Sequence, residues 1–142
     1  MPVRKAEAVW EGDLPNGSGT MKMGTSYEGP YSASSRFQEG SGTNPEELLA
    51  AAHAGCFSMA FSKVLSDAGH TPNRIHTTAK VHIEKQDAGF AITRVELGTE
   101  ADVPGMDEET FNSSAEAAKD NCPVSRLFKG AEISVDATLL ES

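Results

Sequence analysis

The spacing of apolar residues changes character along the chain. Over residues 1–40 apolar positions come in short pieces, Val3 to Trp10, Gly19 to Met23 and Ser32 to Phe37, broken by Gly, Pro, Asn and Ser as in Leu14-Pro15-Asn16-Gly17. That pattern predicts a small antiparallel meander. At Thr43-Asn44-Pro45-Glu46-Glu47 the signals become those of a helix start: a capping Thr or Asn, a proline in the first turn and two acids where the macrodipole favours negative charge. From Leu48 to about Ala68 the chain is rich in Ala, Leu and Met, with only His53 and two serines as polar side chains before Lys63. A helix apolar nearly all round belongs in the centre of a fold, and Gly69 with Pro72 beyond it marks its end.

Strict alternation follows. Ala79, Val81 and Ile83 on one side of Asp87-Ala88-Gly89, and Ala91, Thr93, Val95 and Leu97 on the other, predict a long hairpin over Ile75–Gln86 and Phe90–Val103. Met106 to Asn121 reads as an amphipathic helix with Phe111, Ala115 and Ala118 on one stripe, Cys122-Pro123 opens a short helical turn, and Ala131 to Leu139 alternates as a closing strand. The order β-β-β, long helix, β-β, helix, β predicts an α+β fold of antiparallel strands with a long buried central helix and a second helix, formed as one domain over residues 1–142. A single copy has little with which to cover a helix that is apolar on every face, so a homodimer is expected.

Charge narrows the partners. With 21 acidic against 12 basic residues the net charge is −9, and the cations are scattered, so phosphate backbones and anionic membranes would be repelled. No nucleic acid or membrane partner is expected. No apolar run is counted as reaching the ~20 residues of a membrane helix, and Met1 to Gly12 lacks the apolar core of a signal peptide, so the expected compartment is the cytoplasm. There, two cysteines are either inert core residues or a transient, catalytic pair.

Cys56 lies mid-helix in Ala-His-Ala-Gly-Cys-Phe-Ser-Met, a setting whose desolvation disfavours a thiolate. If it reacts, a cation must oppose that, and Arg36 is the nearest in sequence not on a plainly solvated face; the other reading of Arg36 is a strand-edge surface residue. Glu46 precedes Cys56 by ten residues, ~15 Å along a straight helix and on a different face. It reaches the thiol only if the helix breaks or if it comes from a partner chain; otherwise Glu46 and Glu47 simply stabilise the helix start. Cys122, before Pro123, sits at the N-cap of a short helix, a position that suits a reactive or resolving thiol as well as a structural one. His53 with Cys56 at i, i+3, joined by Cys122 and His82, is a weak zinc candidate, since it lacks paired CxxC spacing. No phosphate loop or nucleophile-elbow serine is present.

Several of these segments match a known family. Trp10-Glu11-Gly12, Arg36-Phe37, Gly42-Thr43-Asn44-Pro45-Glu46-Glu47-Leu48, Ala51-Ala52-His53-Ala54-Gly55-Cys56-Phe57-Ser58-Met59-Ala60, Val103-Pro104-Gly105 and Asn121-Cys122-Pro123-Val124-Ser125 resemble the osmotically inducible protein C (OsmC) branch of the OsmC and Ohr organic hydroperoxide reductases. The resemblance spans nearly the whole chain. It implies an intertwined α+β homodimer with active sites at the subunit interface, in which Cys56 is the peroxidatic cysteine, Cys122 the resolving cysteine, Arg36 the thiolate-stabilising residue and Glu46 the acid that holds Arg36, with Glu47 a secondary candidate. It further implies an organic hydroperoxide substrate, a Cys56–Cys122 disulfide, no cofactor, and an external dithiol reductant such as dihydrolipoamide or a lipoylated protein. Met59, Phe57, Phe61 and the hairpin are expected to form an apolar pocket. The competing readings are a non-catalytic stress or ligand-binding protein on the same fold, and a metal-binding one.

Overall fold

The computed structural model describes residues 2–130 and 132–141; Ala131, the expected start of the last strand, lies outside them. The chain divides into two compact units, residues 1–48 and 49–142.

In the first unit, β1 (Ala6–Glu11), β2 (Ser18–Met23) and β3 (Tyr27–Tyr31) form the expected antiparallel meander in sequence order. Gly19 is paired with both Trp10 and Tyr31, and a Cβ there would meet the Tyr31 ring at 2.6 Å; glycine lets those rings close to 5.4 Å between centroids. The segment after β3 departs from expectation. Ala33–Phe37 is a short helix, α1, rather than a strand, because Ser32 and Ser35 form a reciprocal capping box that satisfies the free amides of the first turn.

The long helix α2 runs unbroken over Pro45–Asp67. Asn44 caps it, its Oδ1 accepting the Glu47 N–H at 2.7 Å. Gly69, at φ +89°, ends it with the His70 N–H returned to the Leu65 carbonyl at 2.9 Å. Its mean hydropathy over 18 residues is 1.4, so by length and composition α2 is long and apolar enough to cross a membrane, contrary to the sequence expectation. Its packing is that of a core helix on one side. His53, Phe57, Phe61 and Leu65, each four residues apart, are fully buried, whereas Ala51, Ala52, Gly55 and Met59 remain exposed, Met59 by 78%.

In the second unit, β4 (Arg74–Gln86) and β5 (Gly89–Asp102) form the predicted hairpin, with an irregularity after His82 that leaves Thr93 without a register partner. Then α3 (Glu108–Asn121), capped by Asp107, and α4 (Pro123–Leu127) lead back to β6 (Glu132–Leu140). β6 pairs with β5 in parallel, against the expectation of antiparallel strands; the crossover through α3 and α4 permits that direction and alternation alone does not reveal it. The core joins Phe57, Phe61 and Leu65 of α2, Val95, Leu97 and Ala101 of β5, and Phe111, Ala115 and Ala118 of α3. The α+β class expected from the sequence is the class observed.

Candidate active site

In the first unit the loop before α2 is stitched to α1. Thr43 N–H donates to the Pro30 carbonyl at 2.9 Å, Ser35 Oγ to the Thr43 carbonyl at 2.7 Å, and Asn44 Nδ2 to the Ser35 carbonyl at 3.0 Å. These bonds fix the last turn of α1 against the first turn of α2. The result is a two-pronged ion pair: Arg36 Nε donates to Glu46 Oε1 at 2.9 Å and the second prong reaches Oε2 at 3.0 Å. Glu46 is buried, and the Arg36 side chain keeps 35% of its surface, so the guanidinium is oriented by the carboxylate yet accessible. Glu47 is occupied otherwise, accepting from Thr43 Oγ1 at 3.0 Å at the helix start. A cavity of about 230 Å³ lined by Trp10, Leu14, Tyr31, Ala33, Arg36 and Phe37 opens beside the pair.

In the second unit the chain's two cysteines meet. Cys56, half-buried on α2, and Cys122, fully buried, have their sulfurs 2.9 Å apart, both as free thiols. Burial pushes the Cys56 thiol up from its ordinary value of 9.0, the Cys122 sulfur beside it pushes the same way, and a hydrogen bond from the Val124 backbone N–H pulls it down. No cation is among these influences. Cys122 does occupy the N-cap of α4, but its sulfur makes no capping hydrogen bond. The early N–H of α4 goes instead to Cys56, so the helix start serves the other cysteine.

A second contact joins the same two helices. His53 Nε2 lies 2.7 Å from Ser125 Oγ, and Phe128 meets the imidazole edge-on at 5.3 Å. His53 is therefore not turned toward a metal site with Cys56, and His82, the other nitrogen considered, is bonded to Glu96 at 2.8 Å. Among the described residues no group of three or more His, Cys, Asp or Glu is assembled. Burial lowers the His53 pKa below 6.5, so the folded state keeps it neutral while the unfolded chain protonates it. Stability from this source is complete above pH 6.5 and falls as the pH drops through the depressed folded value. Urea unfolding on either side of pH 6.5 should show that loss in the native chain and a smaller one in His53→Gln.

The OsmC-like protein family model matches residues 38–138. The chain is 50% identical over 138 residues, 96% of each chain, to peroxiredoxin OsmC of Escherichia coli. It belongs to the OsmC-like family. A more distant relative is the organic hydroperoxide resistance protein of Xanthomonas axonopodis, 37% identical over 70% of this chain and 67% of that one. Among solved structures, the OsmC-like protein from Mycoplasma pneumoniae superposes with a TM-score of 0.77 at 18% identity over 99% of both chains. An organic hydroperoxide resistance protein from Elizabethkingia anophelis does so at 0.66 and 28% identity, also over 99% of both.

Within this OsmC-like chain the structure brings Arg36 to Glu46 and Cys56 to Cys122. The expected pocket of Met59, Phe57 and Phe61 does not form, because Phe57 and Phe61 face the core and Met59 the opposite side. The contact of His53 with Ser125 is not among the sequence expectations, which give His53 only as a weak metal ligand. The available signal was the matched i, i+3 spacing of His53 with Cys56 and Cys122 with Ser125.

Proposed function

We propose that this chain is a thiol-dependent peroxidase that reduces organic hydroperoxides, and the observation that carries the reading is the 2.9 Å approach of Cys56 to Cys122. The names of its relatives, a peroxiredoxin and an organic hydroperoxide resistance protein, support it. The Cys56 thiolate attacks the distal oxygen of the hydroperoxide, the O–O bond breaks, and the alkoxide leaves as the alcohol after taking up a proton. Cys56 is then a sulfenic acid. The Cys122 sulfur displaces its hydroxyl, which leaves as water with the Cys122 proton, forming the Cys56–Cys122 disulfide. An external dithiol, dihydrolipoamide or a lipoylated protein, supplies two electrons and two protons to restore both thiols.

A thiol raised by burial needs a cation, and the oriented Arg36–Glu46 pair provides one. Because α2 is unbroken between Glu46 and Cys56, ten residues that rise ~15 Å, the arrangement we propose takes the pair from the partner of a homodimer. The uncovered face of α2 around Ala51, Ala52, Gly55 and Met59 is the surface a second copy would cover. Beside Arg36, the cavity walled by Trp10, Leu14 and Phe37 suits an alkyl group better than hydrogen peroxide alone. With dihydrolipoamide as reductant, the chain should consume cumene hydroperoxide and release one alcohol per peroxide, and the active species should sediment as a dimer. A fully active monomer would end the shared-site proposal, and no turnover with any dithiol would end the peroxidase reading.

A further inference from the structure

The His53–Ser125 contact is not used by the chemistry above, yet it lies one helical step from it. His53 and Cys56 are three residues apart on α2; Cys122 and Ser125 are three apart at α4. The two helices thus touch through two rungs, imidazole to hydroxyl at 2.7 Å and sulfur to sulfur at 2.9 Å. Residues three apart on a helix face the same way, so the rungs are side by side.

The second helix has little to hold it in place by itself. α4 is five residues long, far below the length at which a helix persists alone, and its N-cap side chain makes no capping hydrogen bond. It packs on α3, which it follows directly, and on the core through Val124 and Phe128, and its contacts with α2 add to these. His53 supplies two: Ser125 on its Nε2 and Phe128 on its ring edge. His53 is 0% exposed and Ser125 6%, so the hydrogen bond has no competition from water, while His53 Nδ1 makes no hydrogen bond. A fully buried histidine with one ring nitrogen unbonded is costly to keep for packing alone.

We propose that His53 and Ser125 form a positioning pair that fixes α4 on α2 and so sets the approach of Cys122 to Cys56 in disulfide closure. This rests on the resolving role given to Cys122 above. The pair acts on the placement of the Cys122 sulfur and takes no part in peroxide cleavage.

The test is the equilibrium of the full-length chain with glutathione, in which one glutathione disulfide is reduced to two thiols as Cys56 and Cys122 are oxidised. The constant reports how well the two sulfurs are placed. Ser125→Ala and His53→Leu should each lower it about tenfold, the size of one buried hydrogen bond. The double variant should fall no further than either single one, and His53→Gln, whose amide reaches the Nε2 position, should recover most of the loss. A wild-type constant in Ser125→Ala overturns the proposal, as do losses that multiply in the double variant. Ser125→Ala removes only one oxygen, so it carries the test if His53→Leu does not fold. Glutathione supplies the oxidant here, so wild-type chain that forms the disulfide but consumes no cumene hydroperoxide would sink the peroxidase reading and leave the pair's role standing.

Discussion

Replacing Cys56 with serine is expected to lower hydroperoxide reduction by at least ~10³-fold, equivalent to ~4 kcal/mol or more in the barrier. A serine hydroxyl next to no general base is not a nucleophile at neutral pH, whereas a thiol is one as soon as it ionises. Among the described residues, the partners of Cys56 are the Cys122 sulfur and the Val124 N–H, neither of which is a general base for a hydroxyl. The exchange of sulfur for oxygen is small, so unfolding should be nearly unchanged and the loss is chemical. Cys122→Ser should behave differently, reacting once with peroxide and then stopping at the sulfenic acid. Single-turnover peroxide consumption separates the two, with none for Cys56→Ser and one equivalent for Cys122→Ser.

Removing the proposed activating charge should have the next largest effect. Arg36→Ala is expected to slow peroxide reduction by at least ~10-fold, or ~1.4 kcal/mol. Burial and Cys122 push the Cys56 thiol up, and in the proposed site a permanent cation, Arg36, offsets that push at neutral pH. Without one, the reactive fraction rises only at higher pH, and the rate profile should shift to the alkaline side. Arg36→Lys should be intermediate, since an ammonium keeps the charge but loses the fork that engages both Glu46 oxygens at 2.9 and 3.0 Å. Glu46→Ala should cost less than Arg36→Ala, because it misorients the charge without removing it. The measurement is the pH dependence of Cys56 alkylation in a Cys122→Ser background; coincident curves with and without Arg36 would show that Arg36 is not the activating charge.

Much of this was legible in the sequence where one physical signal acted alone. The alternation of Ala79, Val81 and Ile83 against Val95 and Leu97 gave the hairpin, and Asn44-Pro45-Glu46-Glu47 gave the start of α2 within a residue or two. Competing signals misled. The Ser32–Phe37 segment looks β-prone, but the Ser32–Ser35 capping box outweighs that preference and makes a helical turn. The direction of β6 was hidden because alternation is the same in parallel and antiparallel pairs. A pocket formed by Phe57 and Phe61 fails because, with Leu65, they form a stripe at four-residue spacing that the core claims.

The site was legible only in pieces. Each thiol could be placed on its helix, but a sequence separation of 66 between Cys56 and Cys122 carries no distance information; the contact arises because α3 packs on the same core as α2 and leads into α4. The pairing of Arg36 with Glu46 was implied by the family resemblance, whereas the bonds of Ser35, Thr43 and Asn44 that set it are not readable from composition or spacing.

The central claim is that Cys56 takes the oxygen and Cys122 resolves it. Reduced chain given one equivalent of cumene hydroperoxide, quenched with a thiol-alkylating reagent and mapped by peptide mass spectrometry, tests it directly. The account predicts one cumyl alcohol per chain, loss of both free thiols and a Cys56–Cys122 linked peptide within a single chain. Free Cys122 after the peroxide is gone, with Cys56 carried on to the sulfinic acid, would contradict it.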